Sequence, residues 1–443
     1  MATKCKKIHI GIFFDGTGNH KNNDRPLGKM SNIAKLSDLY VHGKITNWSN
    51  ETCDHFGHMF YKEGVGTGGG MDTVTGGGAG SGGAKRINEV IDTLFKLMDK
   101  KGPYRHISDD PNTGYSERII NVFGFSRGAA LARDFVNTFY TRNNKKFKLK
   151  GVAVNYVGVY DTVGSFGKAG DDINFKPLRP DEDTETLLDN DDDNPNYEAY
   201  NFNMATYSAK YATHIVANDE KRFNFPLSHC LIGGDKFVEW MYGGVHSDIG
   251  GGYLPSETEM HKIETSGTKA KYHELKKRFP NLAFTVGGFN DQTEIGRKAI
   301  ERLDARRVVL IHSREWTRTV NNEISFVTLH RMHEDAVSKG VPFRPLPRDA
   351  LHQLNASMRA YDAHTQKSRA SAISFAQMPF LRLTHCHRSA IDQRNVDTFR
   401  KANDMAESIK SPTRYVRTAK GELVPERAKF ANRAGLAVVP VKL

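Results

Sequence analysis

The chain has 443 residues, of which 38% are hydrophobic and 26% charged, and its formal net charge is +12. This composition excludes an intrinsically disordered chain, because it supplies enough apolar side chains for a sizeable core. The length fits one large α/β domain with insertions, or two to three smaller domains. No apolar run in the sequence is long enough to span a bilayer, and the first residues lack the apolar core of a signal peptide. We therefore expect a protein that is made in a cytoplasm without a cleavable signal.

The positive charge favours anionic partners such as nucleic acid or acidic phospholipid. The basic residues are scattered, however, and form neither an aromatic-interleaved patch nor a recognisable nucleic-acid module. A membrane surface is at least as good a candidate, with plain solubility as the other explanation of the charge. We expect no nucleic-acid partner.

The four cysteines show no pattern that indicates a special role. Cys5, Cys53, Cys230 and Cys386 lie far apart, without Cys-x-x-Cys spacing. Such spacing favours neither a zinc site nor a disulfide framework. We predict four reduced thiols, and the sequence predicts no cofactor.

The first predicted strand, at residues 8–14, is almost continuously apolar, which is typical of a strand buried on both faces of a parallel sheet. It ends in a glycine-rich loop at residues 15–19. In open α/β sheets the carboxyl ends of the strands are where ligands bind. Ser31 then caps a helix that is predicted to end near Tyr40.

A second strand, predicted at residues 58–62, leads into a loop where Gly64, Gly66 and Gly69 match the pattern Gly-x-Gly-x-x-Gly. A dinucleotide site requires a helix directly after this pattern. The next helix, with one apolar stripe, is predicted only at residues 84–100. The pattern is therefore weak evidence, and a non-catalytic module for nucleotide binding or protein interaction stays as an alternative function.

Residues 119–130 read as a short apolar strand, a Gly-x-Ser-x-Gly turn centred on Ser126, and the start of an apolar helix. This is the layout of a nucleophile elbow, in which a sharp strand-to-helix turn exposes a serine hydroxyl. A Cβ atom at Gly124 or Gly128 would collide with the turn or with the crossing helix. The turn also leaves the serine at a helix N-terminus, where N–H groups favour negative charge. We predict that Ser126 is a nucleophile, with an ordinary turn as the alternative.

The rest of the chain continues the alternation of strands and helices, with interruptions. Strands are predicted at residues 152–160 and 237–242, and a helix at residues 324–337. An acidic and aromatic stretch at about 166–220 and a charged stretch at about 256–320 break the pattern and are interpreted as insertions at the catalytic edge.

The predicted fold class is therefore α/β, an α/β-hydrolase-like fold with a mostly parallel sheet and helices on both faces. Residues 1–345 would form the catalytic domain. Residues 346–443 would form a C-terminal extension that packs partly on the hydrolase, and the sequence assigns it no role.

Three residues follow predicted strands in the order that serine hydrolases of this fold require. Ser126, Asp161 and His246 supply a nucleophile, a carboxylate and an imidazole in the order Ser, Asp, His. An oxyanion hole would need the N–H group of Arg127 and a second N–H from the loop of Asp15, Gly16 and Thr17, with Asp15 and Gly16 as the candidate donors. The sequence therefore predicts ester hydrolysis at the carboxyl edge of the sheet.

Other assignments remain open for several of these residues. Asp161 would also suit the cap of a turn, and His246 could be a loop histidine with no catalytic role. Asp15, His246 and Asp248 would be the ligands of a metal-dependent hydrolase, although a lone His-x-Asp pair is weak evidence for a metal. His385 and His387 are the main competitors of His246 for the role of the base.

Several ordered motifs also resemble one family. They are FFDGTGN at residues 13–19, GVGT at 64–67, GFSRGA at 124–129, VYDTVG at 159–164, ANDEKR at 217–222 and GVHSDIGGGY at 244–253. Together they resemble the α/β-hydrolase family that includes bacterial type VI secretion lipase effectors. The resemblance implies that Ser126, Asp161 and His246 form the catalytic triad.

The same resemblance implies phospholipase A activity on bacterial phospholipids, in an antibacterial effector without a cofactor. It further implies synthesis in a bacterial cytoplasm and delivery by a secretion-spike protein to the periplasm or membrane of a target cell. An immunity protein would be a further partner.

Overall fold

The computed structural model of the protein describes residues 4–67, 81–166, 200–220, 222, 225–230, 236–261, 264–278, 280–314, 316–349, 352–367, 415–417, 423–425 and 429–430. Gly69, Cys386, the acidic part of the first predicted insertion, and both competing histidines, His385 and His387, lie outside these residues. The chain divides into two compact units. The first comprises Met1–Pro255 and Asn322–Leu443, and the second comprises Ser256–Asn321.

The strands among the described residues are β1 (Cys5–Phe14), β2 (Gly43–Lys44), β3 (Cys53–Lys62), β4 (Glu117–Phe125), β5 (Val152–Tyr160), β6 (Tyr211–Ala217), β7 (Leu227–Ser228), β8 (Phe237–Tyr242), β9 (Ser256–His261), β10 (Glu264–Gly267), β11 (Phe284–Val286), β12 (Phe289–Asn290), β13 (Val309–Ser313), β14 (Trp316–Asn321), β15 (Tyr415–Arg417), β16 (Leu423–Pro425) and β17 (Lys429–Phe430). The α-helices there are α1 (Lys21–Asp24), α2 (Asn32–Leu39), α3 (Ser81–Met98), α4 (Arg127–Arg142), α5 (His246–Gly250), α6 (Lys269–Arg278), α7 (Glu294–Glu301), α8 (Ile324–Ser338) and α9 (Ala356–Lys367).

The first unit contains a seven-stranded sheet in the order β2-β3-β1-β4-β5-β6-β8. Its strand pairs are parallel except for the pair of β2 with β3, so the prediction of a mostly parallel sheet is confirmed. The chain places β3 on one side of β1 and β4 on the other. The carboxyl ends of β1 and β4 therefore flank the switch point of the topology, where ligands bind in open α/β sheets.

Helices cover both faces of this sheet, as the fold class requires. On one face, α3 and α4 pack against side chains such as Ile10 and Val122. On the other face, α2, α5, α8 and α9 pack against side chains such as Phe13 and Phe123. The α9 residue Tyr361 is 1% exposed, so the core of the first unit extends beyond residue 345.

Strand β6 corrects the bounds of the first predicted insertion. It lies between β5 and β8 and is parallel to both, so the stretch interpreted as an insertion ends before Tyr211. The sequence hides this strand because Thr213 and His214 interrupt its apolar pattern. Both side chains are nevertheless buried, and they bond to the carboxylates of Asp335 and Glu239 respectively. Polar groups paired in this way can be buried at little cost.

The second unit occupies the stretch that is predicted to be the second insertion. It contains an antiparallel sheet in the order β10-β13-β11-β12, and side chains of α6 and α7 join the sheet residues in its small core. Strands β9 and β14 pair with each other, with Ser256 opposite Asn321. The chain therefore enters and leaves this unit at one place, as an insertion requires.

Among the described residues, none of the helices has the length and apolar character needed to cross a bilayer.

A disulfide bond joins Cys5 and Cys53, so the prediction of four reduced thiols is wrong for this pair. Strands β1 and β3 pair in parallel with Cys5 opposite Cys53, and the two Cα atoms are 4.4 Å apart. The separation of 48 residues gave no local spacing that would reveal the pair. Cys230 is a buried free thiol.

We expect Cys5→Ser to lower the free energy of unfolding measured under oxidising conditions. A cross-link that closes a 48-residue separation restricts the unfolded chain and contributes about 4 kcal/mol. Urea unfolding with and without a reductant measures the effect, and the reductant should destabilise the wild type but not the variant. The matched control is Cys230→Ser, which should keep the response to reductant. A wild type that does not respond to reductant would contradict the prediction.

Candidate active site

The residues predicted to be functional follow strands that end at one edge of the sheet. Asp15 follows β1, Ser126 follows β4 and Asp161 follows β5, while His246 begins α5, which lies just beyond β8. These strands run parallel in the same sheet, with β6 between β5 and β8, so their carboxyl ends lie at the same edge. The fold alone thus brings these parts of the chain together.

The turn at Ser126 is sharp and conformationally strained. Ser126 has φ 59° and ψ −128°, a combination that residues with a side chain rarely adopt. A Cβ atom on Gly124 would clash with the backbone of Gly128, and one on Gly128 would clash with the carbonyl oxygen of Asp15. Both glycines are therefore required by the close approach of β1, β4 and α4, as the elbow pattern predicts.

Backbone hydrogen bonds hold this conformation in place beside Asp161. The N–H group of Ser126 donates to the carbonyl of Tyr160 at 3.0 Å, and the carbonyl of Ser126 accepts from Val163 at 3.2 Å. Asp161 lies between these two partners and also has a positive φ, 41°. Hydrogen bonds to the residues before and after Asp161 thus connect the turn that follows β4 to the turn that follows β5.

The imidazole of His246 is hydrogen-bonded to a buried carboxylate. Its Nδ1 atom lies 2.5 Å from Oδ2 of Asp161, and both residues are almost fully buried. The other carboxylate oxygen, Oδ1, accepts the N–H of Ala217 at 2.9 Å. A carboxylate that accepts from Nδ1 fixes the proton on that nitrogen and leaves Nε2 as the basic atom.

The ring of His246 lies over the residue that precedes Ser126. The ring centroids of Phe125 and His246 are 4.6 Å apart, which brings the imidazole to the elbow. In the described part of the chain, no hydrogen bond joins the hydroxyl of Ser126 to His246. Catalytic hydrogen bonds are often long before substrate binds, so the arrangement is compatible with the predicted pair.

The N–H groups of the loop after β1, which is predicted to supply the second oxyanion donor, differ in their hydrogen bonds. The N–H of Asp15 donates to the carbonyl of Lys62, and the N–H of Gly16 donates to Oδ1 of Asp15. Thr17 is the loop residue whose N–H has no hydrogen-bond partner among the described residues. Asp15 and Gly16 are therefore not available as donors in this conformation, whereas Thr17 is.

Arg127 connects this loop to the elbow. It is the first residue of α4, and the first N–H groups of a helix have no partner within the helix. Its guanidinium donates to the carbonyl of Ser165 at 2.9 Å and to Oγ1 of Thr17 at 3.4 Å. The N–H of Arg127 and that of Thr17 thus belong to two segments that the same side chain holds together.

The catalytic-domain model of the type VI secretion system Tle1-like phospholipase effectors matches residues 9–141 and 136–269 of the chain. These matches span more than half of the sequence and include Ser126, Asp161 and His246. The chain belongs to this family. A search of curated proteins finds no match.

Solved structures with this fold include that of a Tle1 effector bound to the VgrG spike of the type VI secretion system. It is 20% identical, with a TM-score of 0.53, and the alignment covers 88% of this chain and 85% of that one. An uncharacterised protein from Pseudomonas aeruginosa is 18% identical over 85% of this chain and 52% of that one, with a TM-score of 0.43. An esterase from the archaeon Pyrobaculum calidifontis is 12% identical over 49% of this chain and 57% of that one, with a TM-score of 0.17.

The glycine pattern after β3 serves the packing of the loop after β1. The N–H of Gly64 donates to the carbonyl of Asn19, and the N–H of Gly18 donates to the carbonyl of Val65. A Cβ atom on Gly64 would clash with the carbonyl of Gly16. Among the described residues, the first helix after this pattern is α3, which begins at Ser81, whereas a dinucleotide fingerprint requires a helix directly after the pattern.

The three residues of the metal hypothesis have separate partners. Asp248 accepts the N–H of Val245 and so caps α5, while Asp15 accepts the hydroxyl of Tyr61 at 2.6 Å. His246 is bonded to Asp161. Within the described residues, no group of three or more His, Cys, Asp or Glu side chains is arranged to hold a metal ion.

Strand β6 and the segment that follows it contribute to the site, although the sequence pattern assigns them no role there. Besides the N–H of Ala217, which reaches Asp161, β6 contributes His214, whose Nε2 accepts the N–H of Thr162 at 3.1 Å. The ANDEKR motif that ends β6 was the available signal, since it matched the family pattern. Its residue Glu220 accepts the N–H of His246.

We expect Asp15 to make stability depend on pH. Burial is the main cause that raises the pKa of Asp15 from 3.8 to about 6, against hydrogen bonds from Ser31, Tyr61 and Gly16 that lower it. Between these two values the folded protein retains a proton that the unfolded chain has released, so stability falls as the pH rises. The difference corresponds to about 3 kcal/mol.

Urea unfolding of the wild type and of Asp15→Asn between pH 4 and pH 7 measures this contribution. The wild type should lose stability relative to the variant as the pH rises through about 6, since the amide does not titrate. Parallel stability curves for the two proteins would show that Asp15 is not the group responsible.

Proposed function

We propose that this member of the Tle1-like family is a serine phospholipase in which Ser126 is the nucleophile, His246 the general base and acid, and Asp161 the residue that orients the imidazole. The observation that carries the proposal is the buried hydrogen bond between Asp161 and His246 next to a strained serine turn. Strained backbone of this kind is concentrated at functional sites.

The chemistry follows the order of acyl transfer. Oγ of Ser126 attacks the acyl carbonyl while Nε2 of His246 takes the hydroxyl proton, and the tetrahedral intermediate carries the negative charge on the carbonyl oxygen. His246 then gives the proton to the alcohol oxygen of the lysophospholipid, which leaves. Water, activated by the same nitrogen, attacks the acyl enzyme and releases the fatty acid.

We place the oxyanion hole at the N–H groups of Arg127 and Thr17. The support is that the N–H groups of Asp15 and Gly16 are already bonded, whereas that of Thr17 has no partner in the described part of the chain. Donors that are fixed before the reaction stabilise a developing oxyanion at no cost of reorganisation. The hydrogen bond from Arg127 to Thr17 would help to fix both donors.

The substrate class we propose is the acyl ester of bacterial phospholipids, hydrolysed in the manner of a phospholipase A. The net charge of +12 supports attraction to anionic bilayers, and salt screens that attraction. Residues 1–345 would carry this activity with the helix α9 packed on them, and the role of the remaining C-terminal residues stays unassigned.

Delivery is the second part of the proposal. The Tle1 effector with the same fold was solved bound to a VgrG spike, and we propose that this chain also travels on a spike protein. Its target would be the periplasm or membrane of a competing bacterium, and an immunity protein would protect the producing cell.

We expect Ser126→Ala to abolish fatty-acid release from bacterial phospholipid vesicles, with a loss of kcat on the order of 10⁶-fold. Folding should be unaffected, because the hydroxyl makes no hydrogen bond that the described residues reveal. Lipid-product analysis measures the loss, and killing of a competing strain measures the antibacterial role. Release that persists in Ser126→Ala would remove the elbow from the mechanism, and activity lost on chelation would support the metal alternative.

We expect Asp161→Asn to lower kcat by about 10⁴-fold. The amide would donate to Nδ1 of His246 and move the imidazole proton to Nε2, which then cannot accept the proton of the serine. Steady-state kinetics on the same vesicles measures the change. The matched control is Asp335→Asn, which alters a carboxylate that accepts the hydroxyls of Tyr156 and Thr213 away from this edge. Equal losses in both variants would indicate general destabilisation instead.

A further inference from the structure

The segment after β6 runs beside the chain that leads to His246 and is bonded to it step by step. The N–H of Asn218 donates to the carbonyl of Tyr242, and the N–H of Asp219 donates to the carbonyl of Gly244. In return, the N–H of Gly244 donates to Oδ2 of Asp219 at 2.9 Å. The pairing of β6 with β8 is thus continued beyond both strands, as far as the start of α5.

The last step of this ladder is made by a carboxylate. Oε2 of Glu220 accepts the N–H of His246 at 3.1 Å, and Glu220 is 0% exposed. The same carboxylate takes two hydrogen bonds from the guanidinium of Arg222, at 3.0 and 2.7 Å, and one from the N–H of Arg222 at 2.8 Å. Arg222 therefore fixes the orientation of the carboxylate plane.

The guanidinium of Arg222 is also linked to His246 by way of an aromatic ring that contacts both residues. Arg222 lies over the ring of Phe225, 3.7 Å from its centroid. The ring of Phe225 meets the imidazole edge to face, with centroids 4.8 Å apart. The imidazole is thereby held between Phe225 and Phe125, with Asp161 at Nδ1.

From these contacts we propose that Glu220 and Arg222 are positioning residues for the general base: their ion pair, with its buried carboxylate, holds the backbone and the ring of His246 in the orientation needed to take the proton of Ser126. This inference rests on the proposed serine-hydrolase function. Neither residue touches the reacting atoms, so their effect is exerted through His246.

A purely stabilising role explains this pair poorly. Two charges that are removed from water gain little net stability, and well-packed apolar side chains of similar volume often replace them without loss. What apolar side chains cannot replace is the acceptor for the N–H of His246. The position of a base matters steeply for rate, because a misplacement of about 1 Å can cost about 10²-fold.

The decisive variant is the double substitution Glu220→Leu with Arg222→Met, which removes both charges and the acceptor together. We expect a thermal unfolding midpoint modestly below that of the wild type, because the N–H of His246 loses its acceptor, and an unchanged KM on phospholipid vesicles. We expect kcat to fall by about 10²-fold. The labelling of Ser126 by a fluorophosphonate should slow by a similar factor. A double variant with the kcat of the wild type would overturn the proposal.

Two single variants keep the test decisive if the double variant folds poorly. Glu220→Leu and Glu220→Gln both leave Arg222 without its ion-pair partner, but only the amide oxygen of Gln can still accept the N–H of His246. We expect Glu220→Gln to retain clearly more kcat than Glu220→Leu. Equal kcat values in the two variants would show that the bond to His246 has no part in the rate.

The matched control is Asp291→Asn in the second compact unit. Asp291 is a buried carboxylate that pairs with Lys276 at 3.1 Å and accepts the N–H of Phe284, much as Glu220 pairs with Arg222 and accepts that of His246. This variant should lose stability and keep the wild-type kcat. A loss of kcat here comparable to that of Glu220→Leu would overturn the proposal.

Ser126→Ala distinguishes a failure of the proposed serine mechanism from a failure of the positioning role of Glu220 and Arg222. A wild type that is not labelled by fluorophosphonate, together with a Ser126→Ala variant that still releases fatty acid, would refute the serine mechanism and this inference with it. Serine-dependent activity combined with a fully active double variant would refute the inference alone.

Discussion

The hydrogen bond between Asp161 and His246 is the interaction on which the proposed site depends. A buried carboxylate is costly unless its oxygens are bonded, and here Oδ2 meets the imidazole while Oδ1 accepts the N–H of Ala217. These two bonds together orient the carboxylate toward Nδ1. Asp161 follows β5 and Ala217 ends β6. The hydrogen bond between Ala217 and Asp161 can therefore form only if these two strands are neighbours in the observed register. The sheet order thus sets the chemistry of the edge.

The strain at Ser126 is maintained by the same neighbours. An unfavourable φ for a residue with a side chain costs about 1–3 kcal/mol and persists only where the surroundings fix it. The backbone groups of Ser126 are bonded to Tyr160 and Val163 on either side of Asp161, so the elbow cannot relax without moving the carboxylate. Gly124 and Gly128 provide the space for this, since β1 and α4 approach the turn too closely for any side chain. The serine and the carboxylate are therefore held as one unit.

The sequence predicted those parts of the site that depend on local patterns. The Gly-x-Ser-x-Gly turn and the runs that end at Asp161 and before His246 each carry their signal within about ten residues. Features that depend on register gave no such signal. Cys5 and Cys53 become partners only because β1 and β3 place them opposite each other, and β6 is buried although His214 interrupts its apolar pattern, because Glu239 pairs with that histidine. The choice of Thr17 over Gly16 as the free donor depends on one side-chain bond from Asp15, which no sequence pattern specifies.

That bond gives Asp15 a physical role different from the metal ligand or direct donor considered from sequence. Its carboxylate engages the N–H of Gly16 and the hydroxyl of Tyr61, and Tyr61 in turn accepts the N–H of Lys21. These bonds fix the start of the loop. The next N–H group, that of Thr17, has no hydrogen-bond partner among the described residues. A buried carboxylate with a raised pKa is an expensive way to hold a loop. The cost is understandable if a preorganised donor is what the loop must offer, because a flexible loop would bond its own N–H groups before an oxyanion could reach them.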